Sequence, residues 1–477
     1  MTTQSSCTAA AAVYPAPARA AAQARGAGPW PLLAVALGFV MAMLDVTVVN
    51  VALTHIQTSL HMSLAGLVWV VDGYTLAFAA LLLVGGALAN RYGARNAYLA
   101  GLALFVAASA LCGAAPTAAV LVGARLLQGM GAALFMPASL SLLNQAYPED
   151  AARIRVLALW SAIVSVAAAT GPLVGGIVVA AAGWRCIFWL NIPIGIVGAI
   201  MSLRFLQASP RHTQALNGAG HALAMTGLAS VAFALIEGST YGWTSAPILA
   251  AAALGGTSLA LFALRERRAA APIVPRELQD DRRFVAINGV GLFINIGGFG
   301  GLFFVSLYLQ DALHANAWHT GLALLPLMAM FTIGNLLSGR VSARWSPRVT
   351  MLAGLSVAAL LSAVLAAGAA HMPYGVFAVL MALANLGCGL AIPAMTVTMM
   401  QLGGQHHANI AAAALNANRQ VGVLVGVAAM GVALHGLATW PARLEICFSL
   451  IAVAYLAAML IVARSLPAAA GMGSAAR

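Results

Sequence analysis

Two segments of the chain, GALANRYGAR at residues 86–95 and GRVSARWSPR at residues 339–348, carry a glycine and two arginines at the same spacing. A second pair of segments, GAALFMP at residues 131–137 and GCGLAIP at residues 387–393, shares glycine, leucine and proline. The first pair is offset by 253 residues and the second pair by 256. Two independent matches at nearly one offset indicate an internal duplication.

The composition around these segments is typical of a membrane protein. Of the 477 residues, 62% are apolar and 7% are charged, whereas soluble domains carry about 25% charged residues. So few charges cannot cover a surface in water, and most of the exterior must therefore face lipid. Apolar segments long enough to span a bilayer are expected near residues 30–53, 67–89, 97–115, 118–142, 156–180, 187–206, 221–239, 246–264, 284–309, 319–340, 349–369, 373–400, 410–437 and 446–466.

We therefore predict an all-α polytopic membrane protein with fourteen transmembrane helices. The duplication divides twelve of them into two six-helix halves, and the segments near 221–239 and 246–264 fall between the halves as two inserted helices. The predicted organisation is a disordered cytoplasmic tail at 1–29, a six-helix bundle at 30–206, the inserted helices with a charged linker at 207–283, a second bundle at 284–466 and a cytoplasmic tail at 467–477.

The basic residues predict the orientation. All 23 of them are arginine, and they concentrate in the loops that follow the even-numbered spans, among them Arg91, Arg95, Arg153, Arg155 and Arg211. The opposite loops contain only Arg185 and Arg443. Because cytoplasmic loops carry the excess of positive charge, both termini are expected in the cytoplasm. The net charge of +12 then reflects topology, and we expect no nucleic-acid partner.

Ionisable residues inside the apolar segments are the candidates for function. Asp45 lies in the middle of the first span and Asp72 lies early in the second. A carboxylate at the bilayer centre costs roughly 2.5–3.5 kcal/mol, so it needs a partner, a water-filled cavity or a proton. Such a group can bind a proton from one side and release it to the other. The alternative for each is a hydrogen bond to neighbouring backbone without a role in transport.

Arg125 in the fourth span cannot lose its proton, so it must pair or face water. For Arg125, pairing with a carboxylate in a cavity is favoured over a side chain that extends to the membrane surface. Gln128, one turn further along the helix, is expected to join Arg125 and its carboxylate partner in one polar cluster. Asn50, Gln128, Asn288 and Asn295 are predicted to line the substrate cavity, although hydrogen bonds between helices explain such residues equally well. Asn335, Asn385, Asn416 and Arg419 suit the same cavity.

Other kinds of site find little support in the sequence. The five cysteines are scattered without a paired or histidine-rich motif, so a metal site is not expected. A membrane enzyme would need clustered catalytic side chains near an interface, and none are apparent, so we predict no catalytic residues. Because no acidic or basic binding cage is visible, an apolar or weakly polar ligand is expected.

The order of five motifs resembles that of the major facilitator superfamily. They are LDVTVVNVAL at 44–53, GALANRYGAR at 86–95, RLLQGMGAALFMPA at 125–138, GPLVGG at 171–176 and GWRCIFWLNIPIG at 183–195. Within that superfamily the chain is most similar to the branch of fourteen-helix drug:proton antiporters, close to methylenomycin-resistance-type multidrug exporters. The resemblance extends over nearly all of residues 30–466 and is strongest in the first half.

The resemblance implies a bacterial plasma (inner) membrane protein that exports small amphiphilic drugs or antibiotics. Protons flowing inward would supply the energy, and no cofactor is implied. The expected partners are a small-molecule substrate, protons and the lipid bilayer, and a monomer is expected. A metabolite exporter on the same scaffold and a non-transporting membrane sensor are the alternatives, and the substrate itself cannot be named from the sequence.

The resemblance also implies roles for particular residues. Asp45 matches the acidic position of the first helix and Arg125 the basic position of the fourth, and Asp72 is grouped with them for proton coupling. The antiporter motif corresponds to Gly171, Pro172, Gly175 and Gly176. The conformational latch corresponds to two loops, here called the latch loops, with Gly86, Asn90, Arg91, Gly93 and Arg95 in the first half and Gly339, Arg344 and Arg348 in the second.

The chain departs from the family pattern at three positions. The family carries an Asp where this chain has Asn90, a basic residue where it has Asn96, and a glycine where it has Ala167. The first of these removes a charge contact that would stabilise one conformational state. These differences bear on the energetics of switching more than on the fold.

Overall fold

A computed structural model describes residues 28–209, 218–269 and 272–466. Arg211 and most of both predicted tails lie outside these described residues. Fourteen helices in the described ranges are long and apolar enough to cross a membrane, and those ranges contain no strand. The prediction of an all-α protein with fourteen spans is therefore confirmed.

The spans are numbered in chain order. They are α1 Trp30–Leu60, α2 Leu64–Tyr92, α3 Ala94–Ala114, α4 Ala118–Ala146, α5 Arg155–Ala182, α6 Arg185–Phe205, α7 Gly218–Tyr241, α8 Ala246–Arg268, α9 Arg282–Ala312, α10 Ala317–Trp345, α11 Pro347–His371, α12 Tyr374–Gly404, α13 Ile410–Gly436 and α14 Trp440–Ser465. Helix α5 begins earlier than its span, at Asp150. A four-residue helix, Arg276–Gln279, lies in the linker before α9.

Short capped turns connect many of these helices. Helix termini leave backbone N–H groups without intrahelical partners, and polar side chains satisfy some of them here. Ser63 accepts a hydrogen bond from the Gly66 N–H at the start of α2, and Asn316 accepts one from the His319 N–H at the start of α10. These caps allow helices to reverse direction within a few residues.

The same helix pairings occur in the two halves. In the first half α1 packs against α5 and α6, and α4 packs against α2 and α3. In the second half α9 packs against α13 and α14, and α12 packs against α10 and α11. Equivalent packing at equivalent places in the order of the helices agrees with the internal duplication.

The two halves meet most extensively along two pairs of helices. Helix α5 packs against α10, and α2 packs against α13, where Val68 lies beside Gly431. The inserted helices α7 and α8 pack against each other, and α7 also contacts α2. There the Trp69 indole N–H donates a 2.8 Å hydrogen bond to Glu237. The inserted pair is therefore attached to the first half by a specific polar contact.

Candidate functional site

A buried ion pair lies in the first half, between α1 and α4. The Arg125 guanidinium donates a charge-assisted hydrogen bond to the Asp45 carboxylate. The two residues are 1% and 4% exposed, and Asp45 lies at the midpoint of the 31-residue helix α1. A charge within a low-dielectric interior requires such a counter-charge. The structure thus pairs two residues that the sequence places in separate spans.

Amide and hydroxyl groups surround the other carboxylate oxygen. Asp45 Oδ1 accepts hydrogen bonds from the Gln128 amide at 3.2 Å and from the Asn191 amide at 3.1 Å. Gln128 also donates to the Ser109 hydroxyl at 2.7 Å. Together with Arg125, these residues are called the Asp45 cluster below. The Asp45 carboxylate thus accepts hydrogen bonds from three side chains of α4 and α6.

Arg125 makes two further hydrogen bonds. Its Nε donates to the Val70 carbonyl at 2.9 Å, and its Nη1 donates to Gln128 Oε1 at 2.9 Å. The guanidinium carbon lies 4.7 Å from the centroid of the Tyr74 ring, a distance that suits a cation–π contact. The Asp45 cluster therefore carries no net charge and connects α1 with α2, α3, α4 and α6.

Asp72 has a different environment. It is 0% exposed, and neither of its carboxylate oxygens has a hydrogen-bond partner. The structure shows no hydrogen bond or ion pair between Asp72 and the Asp45 cluster. The two aspartates that the sequence groups together are thus separated by the fold into a paired and an unpaired carboxyl group.

The four residues predicted to line the substrate cavity do not act as a group. Gln128 belongs to the Asp45 cluster. Asn50, Asn288 and Asn295 each donate the side-chain amide to a backbone carbonyl one turn earlier in their own helix. Asn295 is 2% exposed. Their place in a cavity stays a prediction, because these hydrogen bonds are ordinary features of buried asparagine.

The antiporter motif lies where α5 is enclosed by helices of both halves. A Cβ atom at Gly171 would collide with Thr47 of α1, and a Cβ atom at Gly176 would collide with the backbone of α10 at Ala317. Pro172 and Gly175 lie in the same stretch of the helix. Any side chain at Gly171 or Gly176 would therefore separate α5 from a neighbour, so small residues here allow close contact with α1 in the same half and with α10 in the other half.

The latch loops place their second arginines in equivalent contacts. Arg95 donates a 2.7 Å hydrogen bond to the Leu203 carbonyl near the end of α6. Arg348 donates to the Ala463 carbonyl at 3.1 Å and to the Leu466 carbonyl at 2.8 Å, near the end of α14. Each arginine thus binds carbonyl groups at the C-terminus of the last helix of its own half, where cations are stabilising.

The remaining latch residues are less enclosed. Asn90, Arg91, Gly339 and Arg344 are exposed, and Gly86 is partly exposed. Gly93 is buried and has φ +91°, a conformation that favours glycine. The described contacts leave the role of the latch loops in switching as a prediction.

Sequence reasoning missed three members of this site. Asn191 lies in the quoted segment GWRCIFWLNIPIG, and an amide within an apolar segment is a signal that could have identified it. Ser109 and Tyr74 offer no comparable signal, since a serine or a tyrosine is common in membrane helices. Their contacts with the Asp45 cluster depend on how α2 and α3 pack around α4.

Two further hydrogen bonds join the halves along the second half of α1. This part of α1, together with the start of α2, is here called the α1–α2 end. The Ser306 hydroxyl of α9 donates a 2.6 Å hydrogen bond to the Asn50 carbonyl. One turn further along, the Thr54 hydroxyl donates to the Gln310 side chain, which lies in a π-helical last turn of α9, Tyr308–Ala312. The halves are therefore in direct polar contact at the α1–α2 end.

Comparisons with known proteins agree with this architecture. The family model for the Major Facilitator Superfamily matches residues 35–427. The chain is 47% identical over 432 residues to the methylenomycin A resistance protein of Bacillus subtilis, covering 90% of this chain and 93% of that protein. It is 47% identical over 423 residues to the methylenomycin A resistance protein of Streptomyces coelicolor, covering 89% of each.

More distant relatives show the same family. The chain is 32% identical over 404 residues to the multidrug resistance protein Stp of Mycobacterium tuberculosis, covering 84% of this chain and 75% of that protein. The family model covers most of the chain, and the three relatives match it over 93%, 89% and 75% of their own length. The chain belongs to the major facilitator superfamily of membrane transporters.

Proposed function

We propose that the chain is a proton-driven antiporter that exports drugs, antibiotics or similar small amphiphilic compounds from the cytoplasm. The observation that carries the proposal is the buried Asp45–Arg125 ion pair at the midpoint of α1 in a member of this superfamily. The names of the relatives, methylenomycin A resistance and multidrug resistance proteins, support drugs as the substrate class.

The Asp45 cluster suggests how proton binding could change the packing of helices. Protonation of Asp45 removes the negative charge from the pair and leaves the Arg125 guanidinium without its counter-charge. Because an unpaired buried charge is costly, the contact between α1 and α4 is then expected to rearrange. Release of the proton restores the pair. Asp72 offers a second carboxyl group in α2 for the same cycle.

The closed α1–α2 end indicates which side of the membrane the described state faces. With both termini in the cytoplasm of a bacterial cell, as the arginine distribution indicates, this end faces the outside. The described state is then closed to the outside, and the cytoplasmic face is the side from which substrate enters. Each proton that flows inward across 100 mV supplies about 2.3 kcal/mol, enough for a substrate gradient of about fifty-fold.

Proteoliposomes with an imposed pH gradient test the proposal. The unmodified protein should accumulate a fluorescent amphiphile against its concentration gradient and should lose this ability when a protonophore is added. Asp45→Asn should abolish gradient-driven uptake but retain exchange of substrate across the membrane at equal pH. Asp45→Glu, which retains an ionisable carboxylate, should recover part of the coupling. Uptake that ignores the pH gradient would refute proton-driven antiport.

Reporter fusions test the proposed orientation. A reporter inserted after Pro275, in the linker before α9, should lie in the cytoplasm. A reporter inserted after Gly242, between α7 and α8, should lie outside. The reverse pattern would place the closed α1–α2 end in the cytoplasm and contradict the orientation proposed here.

A further inference from the structure

Arg419 is a membrane-embedded arginine that has no partner among the residues that the structure describes. It lies nine residues after Ile410, the first residue of α13, which places it about 14 Å along the helix axis. Its Nε is buried without a hydrogen-bond partner. Among the described residues it forms no hydrogen bond and no ion pair. Its positive charge is therefore not neutralised by the protein.

The contrast with Arg125 shows how unusual a membrane-embedded arginine without a counter-charge is. Arg125 binds a carboxylate, an amide and a backbone carbonyl. A guanidinium cannot lose its proton, so within the membrane it needs either an anion or water. Arg419 as a whole is partly exposed, so space for such a group adjoins it.

The described surroundings of Arg419 contain no acidic group that interacts with it electrostatically. Its Cγ lies 3.2 Å from the position that a Cβ atom of Gly291 would occupy, so the side chain passes close to α9. The ionisable side chain that interacts with it electrostatically is the Cys388 thiol of α12, and a thiol buried in apolar surroundings is uncharged. An anion at Arg419 would thus meet no competing carboxylate.

Two amide side chains accompany Arg419. On α13, Asn416 lies three residues before Arg419, and Gln420 lies one residue after Arg419. Residues three and four apart lie side by side on a helix, so Asn416 neighbours both Arg419 and Gln420 on one face. Both are partly exposed, and neither makes a hydrogen bond within the described part of the chain. Three donor side chains within about one turn of helix are therefore available to a ligand.

The position along α13 places this group away from the closed α1–α2 end. Gly431 of α13 packs against Val68 near the start of α2, at the closed α1–α2 end. Arg419 lies twelve residues before Gly431, which is about 18 Å away from that contact. Arg419 is thus on the side of the closed end from which a substrate enters under the proposed function.

We propose that Arg419, assisted by Asn416 and Gln420, binds the carboxylate of the transported compound. The substrate class is then a small amphiphilic acid that is carried as its anion. This inference rests on the proposed function for the existence of a transported compound. A guanidinium matches a carboxylate through two parallel hydrogen bonds, and the substrate supplies the counter-charge that Arg419 lacks in the protein.

The proposal refines the sequence-based expectation of an apolar or weakly polar ligand. The apolar body of the compound remains compatible with the apolar helices, and the carboxylate adds one charged contact. Export of an anion and entry of a proton both make the inside less negative. The membrane potential should therefore accelerate transport of the acid more than that of its neutral ester.

Binding to the purified full chain in lipid nanodiscs provides the test. The probes are dansylglycine, its neutral methyl ester and the cation dansylcadaverine, with naphthylacetic acid and its methyl ester as a second pair. The unmodified protein should bind each acid at least roughly tenfold more tightly than its ester, because a buried charge pair is lost in the ester. The cation should bind more weakly than the ester.

Variants assign the effect to Arg419. Arg419→Gln should reduce the affinity for each acid to that for its ester, and it removes an unpaired buried charge, so folding should be preserved. Arg419→Lys should retain part of the preference. Arg267→Gln, at an exposed position of α8, is the matched control and should bind like the unmodified protein.

The outcomes separate this inference from the proposed function. Equal binding of acid and ester in both pairs, or an unchanged preference in Arg419→Gln, would overturn the carboxylate site and show that water alone solvates Arg419. Neither result affects proton-driven export, which is measured by gradient-driven uptake. If the unmodified protein binds acids selectively but shows no gradient-driven uptake, the proposed function is refuted and the carboxylate site remains.

Discussion

The Ser306 hydroxyl donates its hydrogen bond to the Asn50 carbonyl across 256 residues of sequence, and Thr54 and Gln310 are joined across the same 256 residues. This separation equals the offset between GAALFMP and GCGLAIP in the internal repeat. Each residue therefore contacts its own counterpart in the other half. Counterparts can meet only beside the axis that relates the two halves, so α1 and α9 approach that axis at the α1–α2 end.

A cross-link between α1 and α9 should stop transport by preventing the α1–α2 end from opening. In a protein whose native cysteines are replaced by alanine, Thr54→Cys and Gln310→Cys should be joined by a short bifunctional methanethiosulfonate reagent, which forms a disulfide with each thiol, since the native side chains are in hydrogen-bond contact. Transport in proteoliposomes should fall by more than tenfold and return with reductant. The pair Thr58→Cys and Gln310→Cys, one turn displaced on α1, is the control. Full transport by the cross-linked protein would show that this end does not open.

Removal of one partner of the Asp45–Arg125 pair should destabilise the protein more than removal of both. Asp45→Asn leaves the Arg125 charge buried without a counter-charge, at a cost of about 3–5 kcal/mol. The double variant Asp45→Asn/Arg125→Gln should recover part of that loss. Thermal unfolding in detergent measures both effects. Equal melting temperatures for the single and double variants would mean that the pair does not determine the local stability.

The same substitution at Asp72 should have a much smaller effect on stability. Its buried oxygens have no hydrogen-bond partner, so Asn, which has the same size, breaks no contact and exchanges an unpaired ionisable group for an unpaired neutral one. Asp72→Asn should therefore melt at the same temperature as the unmodified protein or higher, whereas Asp45→Asn melts lower. A large decrease for Asp72→Asn would reveal a partner for this carboxyl group.

Ser346→Gly should stabilise the turn between α10 and α11. Ser346 has φ +90° and ψ 151°, and its counterpart in the first latch loop, Gly93, has φ +91° and ψ 136°. This conformation is unfavourable for a residue with a Cβ atom and costs about 1–3 kcal/mol. Ser346→Gly should raise the free energy of unfolding by about 1 kcal/mol. This net gain allows for the lost hydrogen bond from the Val349 N–H to the Ser346 side chain. Gly93→Ser is the reciprocal control and should lower the melting temperature.

Arg95→Gln and Arg348→Gln should alter turnover more than changes at the exposed arginines of the same loops. Each of the two arginines binds carbonyl groups at the end of the last helix of its half, and loss of such a contact costs about 1 kcal/mol. A shift of that size between two states changes their ratio about five-fold. Arg91→Gln and Arg344→Gln, at exposed positions, are the matched controls. Equal turnover for all four variants would exclude a role for these contacts in switching.

Much of the architecture could be predicted because lipid permits few alternatives. A chain with 62% apolar and 7% charged residues must satisfy its backbone within helices, so length and hydropathy determine the number of spans. The same argument identifies Asp45, Asp72 and Arg125, since ionisable groups are rare and costly in such helices. It applies to the two aspartates equally, however, and it contains no information on which one has a partner.

The sequence by itself determined the helical class, the fourteen spans and the duplication, because each depends on local composition or on a match between distant segments. Only the tertiary structure decided that Asp45 is paired and Asp72 is not, that Asn191 and Ser109 join the Asp45 cluster, and that Arg419 has no counter-charge. These facts depend on which faces of α1, α3, α4 and α6 meet across the bundle. Helices that are apolar on all sides have no single apolar face that would show which side packs against a neighbour. Side-chain packing and hydrogen bonds between residues far apart in the chain therefore determine which faces meet.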